Sequence, residues 1–148
     1  MKLKIRSALI YSLFIATITI FNCCSSSDYD FLRDVKVELG YEDFTKQPQY
    51  SGSVKIGSGG ELTVVLFSNP TTGCCWSELA QISDQAVLQQ TDHKFLPPES
   101  NQTGAGGKEV WTFKALRPGM STVYLEYGRP WEGGEKKVWT FNLTVLVE

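Results

Sequence analysis

This sequence is short of the residues with which proteins do covalent and metal chemistry. It holds one histidine, His93, and its four cysteines fall as two adjacent pairs, Cys23 with Cys24 and Cys74 with Cys75. Two neighbouring cysteines and one histidine lack the paired CxxC spacing of a zinc centre, so no metal or other cofactor is expected. A thiol hydrolase built on Cys74 or Cys75 would need a base to generate thiolate, and His93, in the strand-like run TDHKF, is the one candidate. A lone histidine in such a run is ordinarily structural, so the chain is not expected to be an enzyme. Basic charge is scarce as well. Of 14 Lys and Arg, Lys2, Lys4 and Arg6 sit in an N-terminal leader, and the remainder face 16 Asp and Glu, a net charge of −5 beyond it. No basic patch is left for nucleic acid.

Long apolar runs are also missing, with one exception. After MKLKIR, residues 7–21 (SALIYSLFIATITIF) are uncharged and apolar, then give way to NCCSSSD. The run falls short of the roughly 20 residues of a membrane span and has the layout of a secretory signal. A cysteine just after such a run, followed by serines, resembles a bacterial lipoprotein signal. Residues 1–24 are therefore expected to be the signal, with Cys23 as the lipidation site. The mature chain is expected to be exported and lipid-anchored in the cell envelope, periplasmic or at the surface. Four cysteines in an exported protein would suggest two disulfides, but the first pair belongs to export, and a bond between the neighbours Cys74 and Cys75 would be strained. Residues 25–48 read as a spacer from the membrane, with one possible edge strand around Val35 to Leu39.

No repeat period appears, and no helical periodicity outlasts a turn; the chain alternates short strand-like runs with Gly, Pro, Asn and Ser. The class is all-β. ELTVVLF, residues 61–67, places Leu62, Val64 and Leu66 on one face and Val65 and Phe67 on the other, a strand covered on both sides. VWTFNLTVLV, residues 138–147, alternates with Trp139, Phe141, Leu143 and Val145 inward and Thr140, Asn142 and Thr144 outward. STVYLEY repeats the pattern with Val123, Leu125 and Tyr127, and EVWTFKAL offers Trp111 and Phe113. Strands at this spacing indicate a β-sandwich or barrel.

Three loops stand out between these strands. In NPTTG (Asn69, Pro70, Thr71, Thr72, Gly73), proline fixes φ, the β-branched threonines are restricted at χ1, and glycine can take a positive φ. Such a loop loses little entropy on binding, although an ordinary tight turn with Asn69 bonded to its own backbone has the same composition. GAGG (Gly104, Ala105, Gly106, Gly107) has almost no side chains, so its backbone can approach another chain closely, or it is a hairpin tip. RPW (Arg129, Pro130, Trp131) pairs the two residue types most enriched at interface hot spots, while the commoner fate of a tryptophan is the core.

Taken together and in this order, the three loops resemble the chagasin family of protein inhibitors of papain-like cysteine peptidases, as does KFLPPES at residues 94–100. The resemblance covers about residues 51–148, and the inhibitor domain is placed at 49–148. It implies an immunoglobulin-like β-sandwich whose three loops meet at one end as a wedge that plugs the peptidase cleft reversibly and non-covalently. Thr71 and Thr72 would lie over the catalytic cysteine, Thr71 the nearer, with the loops of Gly106 and Trp131 gripping the sides. The partner implied is a papain-like cysteine peptidase, and the domain is expected to be monomeric. One departure is plain: the family commonly places an aromatic after the glycine, where this chain has Cys74 and Cys75 before Trp76. By strand alternation one cysteine should face the core and the other outward. A generic Ig-like envelope module for a glycan or another protein shares the fold class and composition, but has no reason to carry these three loops in this order.

Overall fold

The alternation read from the sequence sets the architecture. The computed structural model describes residues 33–98 and 105–148. Gly104 and the leader with Cys23 lie outside the described residues. In chain order the elements are β1 (Asp34–Leu39), α1 (Tyr41–Lys46), β2 (Gln49–Ile56), β3 (Glu61–Ser68), β4 (Cys75–Trp76), β5 (Gln81–Ile82), β6 (Leu88–Leu96), β7 (Gly107–Ala115), β8 (Gly119–Gly128) and β9 (Trp139–Val147). One sheet has the order β1-β3-β7-β6; the other runs β2-β9-β8-β4, with β5 also paired to β8. All pairs are antiparallel except β1 with β3 and β2 with β9. The result is an immunoglobulin-like β-sandwich, as expected.

Because side chains of a strand alternate, each sheet turns one apolar face to the other. From the first sheet Leu62, Val64, Leu66, Trp111 and Phe113 are buried, and from the second Val123, Leu125, Phe141, Leu143 and Val145. Val65, on the outer face of β3, is also buried, so the central strand is covered on both sides. β6 shifts register between Gln90 and Asp92; this bulge lets an otherwise polar edge strand follow the twist of the sheet.

Residues 25–48 are not a spacer throughout. From Asp34 they are part of the folded body: β1 pairs in parallel with β3 from Asp34↔Glu61 to Leu39↔Leu66, which realises the expected edge strand. The chain then turns into α1, where the Asp43 carboxylate accepts a 2.8 Å bond from the Gly40 N–H, one half of a capping box at the start of a helix too short to stand alone. What holds α1 is Phe44, fully buried, stacked on Trp139 at 5.0 Å and tilted against Trp76 at 5.3 Å. A six-residue amphipathic turn carries too little periodicity to be seen in sequence.

On the outer surface, Lys108 and Lys36 lie 2.5 and 2.6 Å from the Glu38 carboxylate and hold it at about 2, down from 4.5. A lowered carboxyl adds stability that is complete above pH 4.5 and is lost as pH falls toward about 2. Urea melts between those limits should therefore show a stability loss that Glu38→Gln flattens. Because the charges are exposed the effect will be small, and about 1 M salt should remove most of it.

Candidate functional site

Strand register decides which loops are neighbours. β3 ends at Ser68, opposite Gly107 at the start of β7, so residues 69–73 and 105–107 leave the first sheet side by side. β4 starts at Cys75, opposite Gly128 at the end of β8, so residues 73 and 129 leave the second sheet side by side. The three loops share one end of the sandwich, with NPTTG in the middle.

NPTTG folds as a single 3-10 turn, Pro70–Thr72, closed by Gly73 at φ 79°. Its rigidity comes from bonds within the loop. Thr71 donates its N–H at 3.3 Å and its hydroxyl at 2.6 Å to Asn69 Oδ1, the Thr72 hydroxyl donates to the Asn69 carbonyl at 2.8 Å, and the Gly73 N–H reaches the Pro70 carbonyl at 2.9 Å. Asn69 does bond its own loop, as a tight turn would, and Pro70, Thr71 and Thr72 are nonetheless exposed. The base is tied to the core by Tyr127, whose hydroxyl accepts from the Asn69 N–H at 3.1 Å and sits 3.4 Å from its carbonyl. Burial pushes the Tyr127 phenol up, so it stays protonated and serves both roles. Trp76 Nε1 donates to the Phe67 carbonyl at 2.8 Å and bridges the two strands beneath the turn, a support that needs no aromatic directly after Gly73.

The second loop needs glycine for contact. A Cβ on Gly106 would fall 2.2 Å from the Phe67 ring, so only bare backbone can lie there. In the third loop, Arg129 and Pro130 are exposed and Trp131 is 52% exposed; the tryptophan is not a core residue. The loop is held by Arg129 N–H to the Glu135 carbonyl at 2.7 Å, and by Lys136 Nζ, which donates to the carbonyls of Arg129 at 2.6 Å and Trp131 at 2.8 Å. The Arg129 guanidinium lies 6.0 Å over the Trp131 ring. A Cβ on Gly73 would be 2.7 Å from Trp131 Cη2, so the ring rests against the NPTTG turn. The described members of all three predicted loops are thus brought together. The sequence did not reveal their supports Tyr127, Phe67 and Lys136, because their roles depend on partners 58, 39 and 5 to 7 residues away.

The two cysteines divide as alternation requires: Cys74 is buried in the core cluster, Cys75 is half-buried, and both are free. Cys75 shares a cavity of about 500 Å³ with His93 and Glu109, the residue types of a thiol hydrolase. The electrostatics run the other way. Burial first, then the Glu109 charge, pushes the Cys75 thiol up, whereas an activated thiol is pushed down. His93 is committed elsewhere: its Nε2 lies 2.9 Å from Glu109 Oε2, and its ring stacks on Trp111 at 4.8 Å, while Ser68 donates to Glu109 Oε1 at 2.6 Å. These thiols pack. Cys74→Ala and Cys75→Ala should each keep peptidase inhibition within about tenfold, since truncating a packed side chain lowers the stability of the fold and leaves the three loops' contacting groups in place; complete loss of inhibition in a folded variant would restore a chemical role.

Comparison with known proteins agrees with this geometry. The family described as Chagasin family peptidase inhibitor I42 matches residues 54–145. Chagasin of Trypanosoma cruzi is 34% identical over 87 residues, 57% of this chain and 79% of the relative. Amoebiasin-2 of Entamoeba histolytica is 29% identical over 86 residues, 58% of this chain and 69% of the relative. Among solved structures, the fold resembles the cysteine protease inhibitor EhICP2 of Entamoeba histolytica (TM-score 0.57, 22% identity, 78% of this chain and 97% of that one). It also resembles PbICP-C, solved in complex with falcipain-2 (TM-score 0.58, 18% identity, 77% and 99%). With its sandwich, its loop order and a match across most of the described residues, the chain belongs to the chagasin family of peptidase inhibitors and is not an enzyme.

Proposed function

We propose that the protein inhibits papain-like cysteine peptidases by seating its three-loop end in the active-site cleft, reversibly and without a covalent bond. The observation that carries this reading is the middle loop: an exposed turn, braced by its own hydrogen bonds and flanked on both sides by loops that touch it or emerge beside it. A turn held this stiffly can lie over a nucleophile without offering a peptide bond in attack geometry, so it blocks the site without being cut. Pro70, Thr71 and Thr72 form the leading edge, with Thr71 nearest the peptidase thiol. Ala105, Gly106 and Gly107 offer backbone to one wall of the cleft; Arg129, Pro130 and Trp131 offer side chains to the other. Gly104 completes the second loop in this reading. Little of the loop structure has to be ordered on binding, which lowers the usual cost of association.

The leader fits this role. An anchor at Cys23 would hold the inhibitor at the cell envelope, where exogenous or co-exported peptidases are met. Labelling with palmitate that disappears in Cys23→Ser would support the anchor, and labelling that persists would refute it.

The test of function is steady-state inhibition of papain and a cathepsin-like peptidase by residues 25–148, with a serine peptidase as control. Tight, reversible inhibition confined to the cysteine enzymes is the expected result. No inhibition at micromolar concentration would mean that the wedge binds something else.

A further inference from the structure

The inhibitory end carries an element that the three loops do not include. β1 runs parallel to β3, so both strands finish at the loop end, with Leu39 beside Leu66, and the chain passes through Gly40 straight into α1. This delivers Tyr41, 51% exposed, to the flank of the NPTTG turn. Its ring stands edge-on to Phe67 at 5.3 Å and to Trp139 at 6.1 Å. Phe67 and Trp139 are 6.1 Å apart, so the three rings form one shelf. Above it lies an open cleft of about 550 Å³ whose remaining walls include Asn69 and Thr72 of the first loop and Gly106 of the second.

We propose that this aromatic shelf is a fourth contact element of the inhibitor, which receives an apolar side chain from the rim of the papain-like peptidase cleft. The proposal rests on the inhibitory reading above and extends it to Tyr41, which precedes the family match at 54–145. Three observations fix the occupant. The cleft shares walls with two of the loops, so a peptidase that covers Thr72 and Gly106 covers the cleft between them. Among the described residues no charged side chain lines it, so it selects an uncharged, apolar group rather than an ion pair. An exposed tyrosine backed by two further aromatics is the composition of an interface anchor, where rigid rings bury large area with few rotors to freeze. Because α1 is held through Phe44, Tyr41 is presented on a fixed base and needs little rearrangement to bind.

The experiment combines variants with a footprint of the wild-type chain. Tyr41→Ala is expected to raise the inhibition constant for a papain-like peptidase about tenfold, mainly through faster dissociation, and Tyr41→Phe to stay within about twofold, because the ring and not the hydroxyl fills the shelf. Hydroxyl-radical modification of Tyr41 in the wild-type inhibitor should slow several-fold when the peptidase is added in excess. The footprint does not depend on how well the alanine variant folds. Wild-type inhibition with Tyr41 equally reactive in the complex, or with Tyr41→Ala as potent as the wild type, overturns the shelf and leaves the inhibitory reading standing. Absence of wild-type inhibition overturns both. Protection that rises with inhibitor concentration in the absence of peptidase assigns the shelf to a second copy of the chain and also overturns the proposal.

Discussion

Trp131→Ala will weaken inhibition of a papain-like peptidase by about thirtyfold or more while leaving the sandwich intact. The expectation follows from where the ring stands. It is half-exposed, so its removal opens no cavity in the core, and stability should stay within about 0.5 kcal/mol. In the proposed complex it would be the largest side chain at one wall of the cleft, and a tryptophan in that position typically costs about 2 kcal/mol or more when truncated, which is about thirtyfold in affinity. Part of that loss is indirect, for the ring also rests against Gly73 and steadies the turn. Trp131→Phe should recover the part due to apolar area. Inhibition kinetics and a urea melt on the same preparations decide the matter: equal loss of fold and inhibition would show that Trp131 belongs to the core, and unchanged inhibition would remove the third loop from the interface.

The largest effect on stability is expected at Phe44→Ala, about 3 to 5 kcal/mol, the usual cost of emptying a buried phenylalanine site. Against a total of about 5 to 15 kcal/mol for a domain, this moves the urea midpoint far down. Phe44 plugs the loop end of the sandwich between Trp76 and Trp139, and those two indoles in turn brace the loops. A chain trimmed to start at Gln49 should be destabilised at least as much, since it also loses β1 and leaves β3 as an edge. If Phe44→Ala melts within 1 kcal/mol of the wild type, α1 is peripheral and the folded body begins later than Asp34.

What the sequence disclosed depended on how local each signal was. β3, β7, β8 and β9 announce themselves because every second residue is large and apolar. The loop set was legible because glycine, proline and β-branched residues restrict backbone conformation by themselves, whatever surrounds them. β2 escaped notice, and of β6 only the run TDHKF read as strand-like. β2 places Gly52 at an inward position under the Tyr50 ring, and β6 reads LQQTDHKFL, whose bulge breaks the alternation. α1 was hidden for another reason: its one informative residue, Phe44, finds its partners 32 and 95 positions downstream. The partition of Cys74 and Cys75 followed from alternation alone. The gathering of Cys75, His93 and Glu109 around one cavity did not, because it depends on the pairing of β6 with β7.

The loops also differ in which sheet carries them. The glycine-rich loop feeds β7 in the first sheet, the RPW loop leaves β8 in the second, and NPTTG crosses from one sheet to the other. The span between the two outer loops is therefore set by the thickness of the core, about 10 Å between facing sheets. The molecule acts as a fixed gauge: it admits clefts of one width. Enlarging or shrinking a residue such as Leu66 or Leu125, far from any peptidase atom, would reset that width and so change which peptidases it fits.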